Sequence, residues 1–516
     1  MTLPVSGEHS AVVGRLNATS LRAVVAYRLV DHFSGWLIYF AVVFSPWAFG
    51  TTQPWSIWTM NITGYLLGGL LGFKWCVRRG LGYQPPRWQP NTATAPLLAH
   101  RLHYLTSLLF GVTVVILLYC LISALNARST WRPESLGFHY HDIIGWLPHS
   151  YDHTRTWQAF WNYTALAGFF WATCDWLLGT TLSEERAERR AVHAQNEASA
   201  QLLPTRLRNL LWLLCVNGAL LGLQGIAQRV SDVGKLLWLM EPRVNKSPEA
   251  QFGPYAYRAN AAAYFNLIWP VCLGFWWTLH RNAGFRRWKH HLLLLCGVIM
   301  AACPILSLAR GGALVAAGLM VMTSVVLLFF SLWRRSASRA SPATVSLTFV
   351  LLVVFFAGSL TLGSIYGWEK LEARMADLEQ GFVGRELINQ TARRIAEDFR
   401  WFGTGPGTFN PIFQLYRASP DEYWPAQLHN DWLETRITFG RLGSLLIATA
   451  FLCVLVRWFL PGGIHGGRRF VALIWIALIG CLVHARFDLP LQIYSIVLLF
   501  LLLCAVLFSV SRRGGP

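Results

Sequence analysis

Apolar runs of about 20 residues recur along the whole chain, separated by short polar stretches rich in arginine. A helix of that length crosses roughly 30 Å of hydrocarbon. In that medium every backbone N–H and C=O must be paired within the segment or in a closed barrel. The short alternating segments that build a membrane barrel are missing from the sequence. The chain is therefore expected to be an all-α polytopic membrane protein. Its composition agrees, with 54% hydrophobic and only 13% charged residues.

Hydropathy places about twelve spans, at 33–50, 55–76, 103–125, 156–179, 207–228, 260–279, 291–308, 311–333, 344–366, 436–459, 470–487 and 490–510. Basic residues then fall on alternate connections. Arg15, Arg22 and Arg28 precede the first span. Lys74, Arg78, Arg79 and Arg87 follow the second, and Arg186, Arg189, Arg190 and Arg206 follow the fourth. Arg281, Arg286, Arg287 and Lys289 follow the sixth, and Arg334, Arg335 and Arg339 the eighth. Arg457, Arg468 and Arg469 follow the tenth, and Arg512 and Arg513 end the chain. The positive-inside rule makes that side cytoplasmic, with both termini there. The expected division is a cytoplasmic tail (1–32), nine spans (33–366), a large outward loop (367–435), three spans (436–510) and a second tail (511–516). Loops 126–155 and 229–259 share the outward side, which is the periplasm in a Gram-negative cell. Segment 180–206 reads as a short helical cytoplasmic connection.

The net charge of +19 is spread over many short loops and comes with no nucleic-acid motif, so no nucleic-acid partner is expected. The ten cysteines lie in or beside apolar spans and form no CxxC pair, which argues against a zinc or disulfide framework. No cleavable signal pattern opens the chain, so the first span is expected to stay as an anchor.

Candidate chemistry gathers on the outward side. Arg310 sits between two apolar runs, followed by Gly311 and Gly312, where the positive-inside bias disfavours arginine. A guanidinium at headgroup depth suits the phosphate of a lipid-linked substrate. Gly311-Gly312 would admit a close neighbour or ligand. Gly384-Arg385-Glu386 opens a helix-like run to Phe399, with an apolar face of Leu387, Ile388, Ala392, Ile395 and Phe399 and an expected Arg393–Glu397 pair. The glycines of 403–409 could cradle phosphate, but a hinge or helix stop is the simpler reading, since no strand or P-loop lysine accompanies them. His429 enters a span beside Asn430, Asp431 and Glu434, and a histidine there suits a general base. Gly440 and Gly443 would permit close helix packing. Gly253-Pro254-Tyr255 and Tyr257-Arg258-Ala259-Asn260 add an outward arginine. His484-Ala485-Arg486-Phe487-Asp488 closes the set, and Arg486 and Asp488 could pair with each other. In loop 126–155, His139, His141, His149, His153, Asp142 and Asp152 match no zinc spacing, so no metal site is assigned there.

Together these residues resemble the O-antigen ligase and polymerase superfamily of bacterial envelope enzymes. His429-Asn430 followed by Gly440 and Gly443 is similar to that family's His-Asn motif. Arg310 and Leu314 are similar to its Arg-x-x-x-Leu motif, and 403–409 to its glycine-rich periplasmic stretch. The segment from Gly253 to Asn260 resembles its Gly-Pro-Phe/Tyr...Arg-Asn segment, although Tyr257-Arg258-Ala259-Asn260 stands where Asn-Arg-Asn-His is usual. His484 and Asp488 resemble a weaker C-terminal pattern.

The resemblance is good over roughly 250–490 and only topological before that. It implies a GT-C-like membrane glycosyltransferase with helices in its large periplasmic loop, acting by inversion, with no cofactor or metal. Its donor would be a glycan on undecaprenyl diphosphate, and its acceptor a hydroxyl on lipid A-core, on another repeat unit or on a protein. Arg310, Arg385 and Arg258 would stabilise the leaving diphosphate, and His429 would be the base. Asp431 or Glu434 would orient His429 or share its role, with Asn430, Arg486 and Asp488 lining the substrate site. A Wzy-type polymerase and a protein O-oligosaccharyltransferase fit the same motifs. A flippase for lipid-linked glycan is the competing class, though it would place its charges nearer the bilayer midplane.

Overall fold

The computed structural model describes residues 18–87, 96–132, 134–135, 137–186, 203–283, 288–335, 342–376, 378–417, 427–459 and 468–510. Arg15, Arg189, Arg190, Arg286, Arg287, Arg339, Arg512 and Arg513 lie outside them, as do tail 511–516 and the start of tail 1–32.

Helices dominate the chain. In order they are α1 (Ala18–Trp47), α2 (Pro54–Leu81), α3 (Pro96–Leu125), α4 (His153–Leu177), α5 (Thr205–Ser231), α6 (Arg258–Ala283), α7 (Leu292–Leu306), α8 (Arg310–Arg335) and α9 (Pro342–Gly363). The large loop adds α10 (Glu369–Ala376), α11 (Leu378–Asp398) and α12 (Phe409–Tyr416). Then come α13 (Asp431–Phe459), α14 (Arg468–His484) and α15 (Tyr494–Val510). A short hairpin, β1 (Ser129–Arg132) with antiparallel β2 (Gly137–Tyr140), lies in the loop between α3 and α4.

Among the described residues, 8 helices are long and apolar enough to cross a membrane, one in each of α1, α3, α5, α6, α7, α8, α13 and the α9–α10 region. Helices α14 and α15 are apolar but shorter. Helices α2 and α4 are long, but Asn61, Lys74, Asn162 and Asp175 dilute their apolar character. Each expected span thus coincides with a helix. Most helices begin earlier than hydropathy indicated: α1 starts at Ala18 rather than 33, and α13 at Asp431 rather than 436. Hydropathy marks the stretch that prefers lipid, whereas a helix continues as long as its backbone bonds are made.

Helix α6 is the centre of the molecule, with 94% of its span buried within the protein. Trp269, Trp276, Tyr264, Phe265 and Phe275 on α6 are among the largest fully buried side chains. It packs against α7, α8, α14 and α15, while α2, α3 and α4 pack together beside it with α13 and α15. Several basic residues that read as loop charges are instead part of an ion network. Lys74 is fully buried, with Nζ 2.9 Å from Asp31 Oδ1 and 2.6 Å from Asp175 Oδ2. Arg78 and Arg87 also reach Asp175, at 2.7 and 2.5 Å, and Arg206 reaches Asp31 at 2.6 Å. Burying a charge is tolerable only when it is paired, and here each is.

The large loop has its own small core. Ala392, Ile395 and Ala396 of α11 pack on Phe409, Ile412 and Phe413 of α12 and on Leu428 and Ile437. Two expectations for α11 change. Leu387 is exposed rather than part of the apolar face. Arg393 pairs at 2.8 Å with Glu386, two turns back, rather than with Glu397.

Candidate functional site

Helix α13 sets the position of the site, and it is not continuous. At Gly440 the backbone takes φ 62° and ψ −167°, a region that only glycine occupies readily. The break frees the carbonyls of Ile437 and Thr438 and the N–H groups of Arg441 and Leu442. Residues 400–405, which lead into and open the glycine-rich turn, answer all four. Thr404 N–H donates to Ile437 O at 2.8 Å and Gly405 N–H to Thr438 O at 3.0 Å. Arg441 N–H donates to Arg400 O and Leu442 N–H to Trp401 O, at 3.0 and 3.2 Å. A methyl group on Gly440 would collide with the Trp401 carbonyl. On its other side the turn meets the 126–155 loop, where Tyr151 N–H donates to Thr404 O, and the start of α4, where Thr156 Oγ1 donates to Pro406 O. The amides of Gly403, Thr404, Gly405 and Thr408, which could have cradled phosphate, are already committed, and the turn is a staple between the loop and the broken helix.

The start of α13 holds His429 in place. Asn430 caps the helix, its Oδ1 accepting from Leu433 N–H at 3.2 Å. Glu434 reaches back to accept from Leu428 N–H at 2.6 Å. Asp431 accepts from Leu491 N–H at 2.7 Å, and its own N–H donates to Ala485 O at 2.8 Å. All three side chains are buried, and each accepts a backbone hydrogen bond. The carboxylate that meets His429 is Asp488, with Oδ1 3.1 Å from His429 Nδ1.

Asp488 is also held by Tyr257, whose hydroxyl donates to Oδ2 at 3.4 Å, and by its own Oδ1, which accepts from Leu489 N–H at 3.0 Å. Buried His484 lies 3.9 Å from Oδ2. Burial opposes ionisation of Asp488, but the His429 hydrogen bond and the charges of His484, His429 and Arg385 more than offset it. Its carboxyl is held below the usual range. The Tyr257 hydroxyl is pushed up, first by burial and then by Asp488.

A cleft of about 170 Å³ opens beside this pair. Arg258, Arg310, Arg374 and Arg385 line it, with Tyr257, Gly311, Leu314, Phe487 and Asp488. The arginines come from four different helices, α6, α8, α10 and α11. Arg385 is anchored through Phe487 O at 2.7 Å and Tyr257 Oη at 3.5 Å, Arg258 through Glu249 O at 2.9 Å, and Arg310 through Arg374 O at 3.2 Å. Four guanidinium groups against one carboxylate, itself paired with a histidine, give the cleft a strong preference for an anion with several oxygens.

The glycines after Arg310 serve the packing that aims it. Gly311 lies under the Phe487 ring, and Gly312 against Ala262 of α6. Buried Leu308, with φ 60°, makes the tight turn that starts α8 at Arg310.

The structure thus brings Arg258, Arg310, Arg385 and Asp488 into one cleft, with His429 joined to it through Asp488 and through its ring contact with Tyr257, 5.7 Å between centroids. Asn430, Asp431 and Glu434 stand behind His429. Arg486 is exposed and outside the cleft lining. Arg385 lies two turns inside α11, which begins at Leu378, rather than at its start. The sequence reading did not single out Arg374 or Tyr257. Arg374 sits in a run of alternating charge that looks like any solvated helix face. In loop 126–155, His153 and His149 contact backbone carbonyls of Ala124 and Leu147, while His139 and His141 lie ring to ring.

Residues 265–448 match the family model described as O-antigen ligase. That match supports the O-antigen ligase and polymerase superfamily over this region of the chain. The matched O-antigen ligase region contains Arg310, Arg374, Arg385, the glycine-rich turn and His429-Asn430, while Arg258 and Asp488 flank it in sequence and join it in space. The match supports a membrane glycosyltransferase of the O-antigen ligase/polymerase type. No curated protein matches the chain.

Proposed function

We propose that this protein transfers a glycan from undecaprenyl diphosphate to an acceptor hydroxyl, such as one on lipid A-core, at the periplasmic face of the bacterial inner membrane. Both termini are cytoplasmic in this reading. The observation that carries it is the four-arginine cleft sharing Asp488 with His429.

The arginines bind the donor diphosphate. The acceptor oxygen attacks the anomeric carbon from the opposite face, and the bond from that carbon to the diphosphate oxygen breaks, its electron pair leaving on the diphosphate. Charge grows on that oxygen as the bond stretches, and cations fixed at the spot stabilise it without reorganising. With Nδ1–H directed at Asp488, His429 keeps a lone pair on Nε2 to take the acceptor's proton. Attack opposite the leaving group inverts the anomeric centre, and no metal is required, because arginine supplies the positive charge.

The test incubates purified protein with undecaprenyl-diphosphate glycan and separate acceptors (lipid A-core, a second repeat unit, a serine peptide), with no metal added. The expected result is undecaprenyl diphosphate released in step with one glycosylated product, and the productive acceptor names the subtype. Movement of intact lipid-linked glycan between leaflets, with no bond broken, would establish a transporter instead.

A further inference from the structure

The connection between α6 and α7 carries a side-chain cluster that glycan transfer does not use. His280 lies near the end of α6, and His290 and His291 stand immediately before α7. His280 and His290 are only 5% and 4% exposed, and His291 is half-buried. One candidate ligand nitrogen from each of the three lies within 4.8 Å of the other two. Among the described residues this is the one such group of three histidine, cysteine or acidic side chains.

One pair of the three already stands near metal-site spacing. Zinc binds imidazole nitrogen at about 2.0–2.1 Å, so tetrahedral geometry puts neighbouring ligand nitrogens roughly 3.3 Å apart. His280 Nδ1 and His290 Nε2 share a hydrogen bond at 3.2 Å, close to that separation, and an ion bound between them would replace its proton. The Trp276 indole stacks on His280, with centroids 5.2 Å apart and planes at 14°, which fixes that ring. Trp276 Nε1 also donates to His291 Nδ1 at 3.4 Å, a weak bond, so the same indole touches two of the three rings. Three imidazoles without a carboxylate suit a borderline first-row ion and not calcium or magnesium.

We propose that His280, His290 and His291 bind a divalent metal of the zinc class, with water as the fourth ligand, and that the metal ties the end of α6 to the start of α7. The far ends of these helices lead to Arg258 and, through the Leu308 turn, to Arg310. The site is structural and stands independently of the glycan-transfer reading.

The test uses full-length protein carrying no polyhistidine tag, stripped with chelator and titrated with zinc alone and cobalt alone. One equivalent should bind, zinc should raise the thermal midpoint, and cobalt should give the visible absorption of a four-coordinate site. His280→Gln and His290→Gln should each weaken binding at least tenfold, while His139→Gln in the exposed hairpin should leave it unchanged. Should a buried variant fail to fold, His291→Gln carries the same expectation of at least tenfold weakening. Absence of saturable binding at one equivalent, or equal binding by the His280/His290 double variant, would overturn the site. Binding that leaves the thermal midpoint unmoved would overturn its role as a tie.

Discussion

His429 owes its orientation to neighbours that do not enter the cleft. Asn430 caps the helix, Glu434 ties Leu428, and Asp431 ties Leu491, so the ring is delivered to Asp488 by a fixed frame. A carboxylate aligned on Nδ1 selects the tautomer a base needs. The depressed Asp488 pKa also carries a stability consequence. A carboxyl whose folded value lies below its unfolded value, about 3.9, contributes stability that is full above pH 4 or so and is lost as pH falls through the folded value. Asp488→Asn should therefore flatten the loss of thermal midpoint on acidification below about pH 4; equal slopes for variant and parent would refute the linkage. Arg374 belongs with the other cleft arginines. A charge-assisted hydrogen bond is worth about 1.5–3 kcal/mol. Arg374→Ala should accordingly raise KM for the lipid-linked donor about tenfold or more, measured against an unchanged KM for acceptor. Arg310 was legible because it broke the expected charge bias of its side, Arg258 because it followed the Gly253-Pro254-Tyr255 segment, and Arg385 because it stood in a helix-like run without an obvious partner. Arg374 was not, because Glu369, Lys370 and Glu372 around it give the pattern of an ordinary solvated helix.

Helix α13 shows how an element can be broken to useful effect. Its apolar pattern runs through Gly440 without a signal, and the two glycines at 440 and 443 read as packing sites. The structure uses Gly440 for a backbone reversal whose freed polar groups are taken up by residues 400–405. That docking fixes the middle of the large loop against the helix that begins beside His429. Gly440→Ala should cost about 1–3 kcal/mol in backbone strain alone, and the clash with the Trp401 carbonyl adds to it. The expected readout is a lowered thermal midpoint together with faster proteolysis of the 403–417 segment. A variant of native stability would show that the break is not needed. The glycine turn was legible as a hinge or helix stop, but its partner was not, because the two strands of contact lie more than 30 residues apart and no local pattern joins them.

At the scale of the whole molecule, the membrane character and the helices were legible, because the need to satisfy backbone groups in lipid leaves few alternatives. What hydropathy could not show is the pairing of charges between spans. Lys74, Arg78, Arg87 and Arg206 count equally in any tally of basic residues, yet they meet Asp31 and Asp175 in a network that joins α1, α2, α4 and the start of α5. Removing one partner from a buried pair leaves the other charge stranded, at about 3–5 kcal/mol. Asp175→Asn should lower the thermal midpoint and yield of folded protein while leaving the rate per folded molecule unchanged. A fall in that rate would mean the network acts on the cleft at the opposite end of the fold. That cleft depends on assembly across the whole chain, since its four arginines, His429 and Asp488 come from segments spread over residues 258–488. The proposed glycan transfer turns on whether His429 is the group that activates the acceptor. The most direct measurement is the rate of glycan transfer by His429→Ala, purified in parallel with the parent and matched to it in thermal midpoint and donor binding. A base contributes about 10²–10⁴-fold. A loss of at least a hundredfold in kcat with donor affinity retained is the predicted result, and an unchanged kcat in the folded variant would contradict it.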